Sequence, residues 1–213
     1  MRRRTLLDMM EERGLGKPKW NIEDGVLVKY EGIAREITVP DGVTSIADEA
    51  FFPSLRLEAV RIPDSVKSMG PHPFKGCHDL VTVQIPGHLL EGLTFREVLW
   101  LFTDEIMNIP SIEYRFLSRI LDGTDKSSEA FRQIFLDRIR DDFYGVRWIN
   151  KAIGQDKPQW ISGILECNPT IPRGKLDECI RSAAEQGKAQ IATILMEHLQ
   201  NRQPDPEAEL SLD

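Results

Sequence analysis

The stretch AVRIPDSVKSMGPHPFKGCHDLVTVQIP, Ala59 to Pro86, holds two short Val/Ile runs, and each ends in Ile-Pro. Pro63 and Pro86 stand 23 residues apart, and Pro40, behind Val39, stands another 23 upstream. Two residues before Val39, Ile62 and Ile85 come Ile37, Val60 and Val83. The match runs on through Leu57 and Leu80, Asp41 and Asp64, Val43 and Val66, Ser45 and Ser68, Ile46 and Met69, and Phe51 and Phe74. Leu57, Val60 and Ile62 read L-x-x-V-x-I, a short strand with alternate side chains turned inward. Proline has no N–H and cannot continue a ladder, so each Ile-Pro turns the chain off the sheet at the same corner of a coil. DSVKSM then places Val66 and Met69 inward, and Phe74 plugs the core before the chain returns. Leu57, Val60, Ile62, Phe74, Leu80, Val83 and Ile85 are thus expected in one core.

These units resemble the BspA-type leucine-rich repeat. The resemblance rests on LVTVQIP, IPDSVKSMG, IPDGVTSIADEAF and FKGCHD, and on the lead-in IEDGVLVKYEGIAREITVP, in which Asp24-Gly25 makes a two-residue hairpin turn. It covers residues 20 to 87. The first unit has FPSLR where the second has FKGCH, and GPHPF brings prolines where that family prefers small residues. The resemblance implies a β-solenoid, a buried packing cysteine at Cys77, and a non-catalytic bacterial interaction protein.

From Gly87 the proline corners stop and helical periodicity takes over. TFREVLWLFTDEIM, SIEYRFLSRIL, SEAFRQIFLDRIRDDF, WINKAI, PQWISGILE and KLDECIRSAAEQGKAQIATILMEHLQ read as helices. Phe131, Ile134, Phe135, Arg138 and Ile139 have the spacing of one helix, with Ser127 and Ser128 available as caps. Asp156–Pro158, Asn168-Pro169 and Gly187 are breaks. An offset of 31 relates Ala152 to Ala183, Trp160 to Ile191, Ile164 to Leu195 and Glu166 to Glu197. CIRSAAEQGKAQIATILMEHL resembles the helix-turn-helix body of an ankyrin repeat, without that family's T-P-L-H start.

The expected fold class is therefore α+β: a short leucine-rich-repeat β-solenoid of 23-residue coils capped by an ankyrin-like all-helical domain. Its expected parts are an N-terminal helix (1–19), the repeat segment (20–87), the ankyrin-like helical region (88–203) and a disordered acidic tail (204–213). Two coils and a lead-in are fewer than the three or so repeats a stack normally needs. The end after Pro86 must therefore be covered by the helices.

A net charge of −7 argues against nucleic acid as the partner, because phosphate binding needs a basic face. No apolar run is long enough to span a membrane, so no membrane insertion is expected. Met1–Met10 opens on three arginines, but Asp8 breaks its apolar core before it becomes a signal. Three cysteines, Cys77, Cys167 and Cys179, do not make a disulfide framework. A cytoplasmic location fits, and a cell-surface location is the alternative if a leader precedes the chain.

Candidate chemistry is sparse. Cys77 and His78 are adjacent, with His72 and His88 near, but none has the spacing of zinc ligands. GLGK, Gly14 to Lys17, lacks the full phosphate-loop spacing and reads as a helix stop. His198 reads as an exposed residue of the last helix, and Trp100, Trp148 and Trp160 as core aromatics. No base oriented by a third group is visible, so no catalytic residue, metal or cofactor is assigned. What remains is the outward side of the strands. Stacking aligns Thr38, Arg61 and Gln84 in one row, and Glu36, Ala59 and Thr82 in the next. A protein partner on Glu36, Thr38, Arg61, Thr82 and Gln84 is the expected function, with Arg61 as anchor or else paired to Glu36 or Glu58. The alternatives are a surface adhesin for a glycan or host protein, and an enzyme with an unrecognised site.

Overall fold

A tight turn opens the described structure. The computed structural model describes residues 18–202; the expected N-terminal helix, the Gly14–Lys17 stop and the acidic tail lie outside them, save that Lys19 already belongs to a strand. Strands β1 (Lys19–Glu23) and β2 (Val26–Glu31) pair antiparallel across Asp24-Gly25, with φ of +48° and +79°. Two successive left-handed residues match the strands' twist, which is why Asp-Gly is favoured there.

Two parallel ladders follow, each advancing by 23 residues per rung. Strands β3 (Glu36–Thr38), β5 (Ala59–Arg61) and β7 (Thr82–Gln84) form one, with Ile37, Val60 and Val83 in register. In the other, β2 is continued by β4 (Ser45–Ile46) and β6 (Ser68–Met69). The corners repeat as the prolines predict: Val43, Val66 and Leu89 donate to Pro40, Pro63 and Pro86 carbonyls at 3.4, 3.2 and 3.1 Å. Leu57, Val60, Ile62, Phe74, Leu80, Val83 and Ile85 are all buried between the ladders, as expected.

The chain divides into two compact units, the first ending at Phe135 and the second beginning at Leu136. The expected change at Gly87 thus falls inside the first unit, which carries its own helices. These are α1 (Phe95–Trp100), α2 (Ile109–Leu121) and the start of α3 (Glu129–Ile139). Thr94 and Glu97 close a capping box on α1. Aromatic contacts tie the coils to the helices: Tyr30 to Phe51 at 6.0 Å, Phe51 to Phe74 and Phe74 to Phe102 at 5.3 Å, Phe102 to Phe116 at 4.9 Å. Twenty-three residues past Phe74 stands Glu97, so the repeat has no aromatic left to give, and Phe102 takes the next place. Arg115 on α2 donates to the Cys77 and Leu80 carbonyls at 3.2 and 3.3 Å, groups that another coil would otherwise cover.

Ser127 and Ser128 differ from the expectation. Their hydroxyls accept from Val83 N and Ile85 N at 3.0 and 3.3 Å, closing the last rung of the β3–β5–β7 ladder instead of capping α3. An open strand edge buried against helices has donors to satisfy, and the two serines sit closer to that edge than to the free N–H groups of their own helix turn.

In the second unit, helices α4 (Asp142–Gln155), α5 (Pro158–Cys167), α6 (Arg173–Glu185) and α7 (Ala189–Asn201) form two hairpins. The offset of 31 holds in three dimensions. Asp156 and Gly187 both take left-handed φ, +55° and +70°. The residues after them close the same turn, Lys157 N to Ala152 O at 2.9 Å and Lys188 N to Ala183 O at 2.8 Å. Ala152, Trp160 and Ile164, with their partners Ala183, Ile191 and Leu195, are buried, while Glu166 and Glu197 are exposed. Helix α4 packs on α6, and α5 on α7. Asn168, read only as a break, is a buried hub. Its Nδ2 donates to the Ile139 and Arg140 carbonyls and to Asp142, and its Oδ1 accepts from Thr170 N and Oγ1.

Candidate functional site

The outward rows are in register as the 23-residue period requires. Thr38 pairs with Arg61 and Arg61 with Gln84, and Glu36 pairs with Ala59 and Ala59 with Thr82. Glu36, Thr38 and Arg61 are exposed; Ala59, Thr82 and Gln84 are half-buried. Two shallow depressions, of about 350 and about 540 Å³, flank the rows, and Thr38, Arg61 and Gln84 line both. The Gln84 amide already donates to the Lys126 carbonyl, so of the five residues it is the one engaged in holding the edge. Arg61 is different. Glu58 is ion-paired with Arg35, and no described carboxylate pairs with Arg61. The pairing of Arg61 with Glu36 or Glu58 that the sequence left open does not occur. A guanidinium without an internal partner, at the centre of a flat polar face, keeps its planar set of donors for another molecule.

The residues near Cys77 have other work. Cys77 is buried, with its thiol toward the Phe51 carbonyl at 3.6 Å. The His72 amide and ring face Asp48, and His88 Nε2 lies 2.7 Å from Val66 O. Among the described residues no cluster of His, Cys, Asp and Glu could hold a metal ion. A pocket of about 260 Å³ beside Cys77 was not foreseen; Lys75, Asp104 and Arg115 line it. Lys75 bridges Glu49 and Asp104, 2.7 Å to each, and the bonds from Asp104 first and Glu49 second hold its ammonium above the ordinary lysine range. Its charge is thus matched twice over, by residues far apart in sequence.

Burial sets the reactivity of the thiols. It pushes Cys77 up to about 12 and Cys179 up to about 11, and it also raises half-buried Cys167. Since the thiolate is the nucleophile, an aromatic disulfide reagent at about pH 8 should label Cys167 first and reach Cys77 and Cys179 only on unfolding. A raised thiol pKa favours the folded state below the ordinary thiol range. That contribution is lost as pH rises through the folded value, about 12 for Cys77. Equal, rapid labelling of all three in native buffer would show that the coil and hairpin cores are open.

The aromatic expectations divide. Trp148 and Trp160 are buried against each other with ring centroids 5.6 Å apart. Trp100 is not a core residue: it is 37% exposed, because the six-residue helix α1 ends there and leaves the ring at its edge. His198 is half-buried, not exposed, and its Nε2 is shut off from solvent. Phe143, at the first turn of α4, is 71% exposed beside a groove of about 590 Å³ that Val146 and Pro172 also line. Asp141 caps that turn through Phe143 N and Tyr144 N, and the sequence shows only the helix there, not its outward ring.

A family model described as BspA type Leucine rich repeat region (6 copies) matches residues 29–96, about a third of the chain. The match runs past Pro86 through a third corner, Pro86–Leu89, which the sequence reading had left out of the repeat. It gives no support to the ankyrin-like reading of the later helices. No curated protein and no solved structure matches the chain. None of the described helices is long and apolar enough to cross a membrane.

Proposed function

We propose that this chain is a non-catalytic protein-interaction module that binds a protein partner through the outward face of β3, β5 and β7, with Glu36, Thr38, Arg61, Thr82 and Gln84 at the contact. The observation that carries the reading is Arg61 at the centre of the ladder, exposed, in register with Thr38 and Gln84, and without a carboxylate partner among the described residues. Arginines of this kind are enriched among the residues that carry interface energy. The repeat match supports the same class of work, and the helical hairpins of the second unit are read as a short ankyrin-like array on the strength of their 31-residue offset. Catalysis has no comparable support, since no titratable set is arranged around a reacting position.

The test begins with a partner captured from the native cell by cross-linking to the wild-type chain. Arg61→Ala should weaken that complex by about 2 kcal/mol or more. Its own melt should move by no more than about 0.5 kcal/mol, as for an exposed site. Unchanged affinity on substituting Arg61, Thr82 and Glu36 together would remove the site from this face.

A further inference from the structure

The two parallel ladders end differently. On the β7 side every rung donor finds an acceptor: Val39 N bonds Arg61 O at 2.9 Å, Ile62 N bonds Gln84 O at 2.8 Å, and the next in line, Ile85 N, is taken by Ser128 Oγ. On the β6 side the series breaks off. Lys67 N bonds Thr44 O at 2.7 Å and Gly70 N bonds Ile46 O at 2.8 Å. One period on, Leu90 N and Leu93 N should reach Lys67 O and Met69 O. They instead close local turns, onto Gly87 O at 2.9 Å and Leu90 O at 3.1 Å. No hydrogen bond from a described residue reaches Lys67 O or Met69 O.

Burial follows the same break. Leu27 and Ile46, each covered by a following rung, are buried, whereas Met69 in the same row is half-buried. A groove of about 410 Å³ lies along this edge, with Met69, Leu89, Leu93 and Trp100 among its walls. The Arg96 guanidinium stands 5.5 Å from the Trp100 ring centre. The charges here are one-sided in what they leave over. Glu97 is occupied by Thr94, whose amide and hydroxyl each lie 2.7 Å from its carboxylate. Lys67 reaches only the Asp64 carbonyl, and neither Lys67 nor Arg96 has a carboxylate partner among the described residues.

We propose that the β6 edge is a second docking site, for an extended acidic peptide segment of a partner protein. The segment adds a strand to β6, donating backbone N–H groups to Lys67 O and Met69 O, as peptides do at open sheet edges. One apolar side chain enters the groove against Met69, Leu93 and Trp100, and its carboxylates face Lys67 and Arg96. This site is separate from the β3–β5–β7 face and does not depend on it.

The full chain is screened against a displayed library of short random peptides, and the enriched sequences are resynthesised for anisotropy titrations. Enriched peptides should combine acidic residues with an aliphatic or aromatic one and bind more weakly as salt rises. Trp100→Ala should cost at least about tenfold in affinity, and Lys67→Glu, an exposed change that leaves the coil intact, should do the same. Arg61→Ala should leave these peptides unaffected, which separates this site from the proposed face. On binding, the carbonyl resonances of Lys67 and Met69 should shift. No enrichment, enrichment of basic peptides, or peptides indifferent to both variants would overturn the proposal. Self-association that Trp100→Ala abolishes, with no peptide captured, would overturn it in favour of a second copy at this edge.

Discussion

Replacing Phe74 by alanine should cost about 3–5 kcal/mol, the range for truncating a buried phenylalanine. The ring is fully buried and stacks at 5.3 Å on both Phe51 and Phe102, one belonging to the coil before it and one to the segment after α1. Its removal leaves a cavity in the middle of the aromatic row, where neither neighbour can collapse without leaving its own contacts. Since whole domains are stable by about 5–15 kcal/mol, the variant should be near the edge of folding. Urea unfolding with an unchanged slope measures the loss directly. A loss under about 1 kcal/mol, typical of exposed positions, would contradict the inward placement.

What the sequence made legible follows from what repeats. A period of 23 residues states the same physical requirement three times, so corner, inward row and outward row could be read together, and the ladders hold that register. The offset of 31 worked in the same way for the two hairpins, down to the turn at Asp156 and Gly187. Features that occur once were not legible. Ser127 and Ser128 have the composition of helix caps, and only the neighbouring edge of β7 makes them something else. Trp100 has the spacing of a core residue, but α1 is too short to carry its ring under cover. Asn168 reads as a helix stop, while its role comes from carbonyls of residues 139 and 140 that no local pattern brings near. The Lys75 bridge joins positions 49, 75 and 104, and its pocket is invisible for the same reason. Of the proposed face, position was legible and engagement was not: the pairing of Glu58 with Arg35 is what leaves Arg61 unpaired.

A fragment ending at Gly87 should show no cooperative unfolding transition, while one ending at Arg140, which keeps α3 whole, should melt cooperatively. The first cut leaves only two full coils and the hairpin, fewer than stacked repeats normally need. It uncovers Phe74, whose outer neighbour is Phe102, and strips the Cys77 and Leu80 carbonyls of Arg115. It also frees the Val83 and Ile85 amides that Ser127 and Ser128 now satisfy. Each donor or acceptor so released returns to water only if the coil end opens, and the exposed ring favours aggregation over closure. The longer fragment restores all of these partners, because every one of them lies between residues 102 and 128 of the first unit. Circular dichroism melts and sedimentation of both fragments are the measurement. A monomeric fragment ending at Gly87 with a sharp transition would show that the coils close on themselves. If both fragments fail, the helices from α4 onward would be part of what the coils need in order to fold.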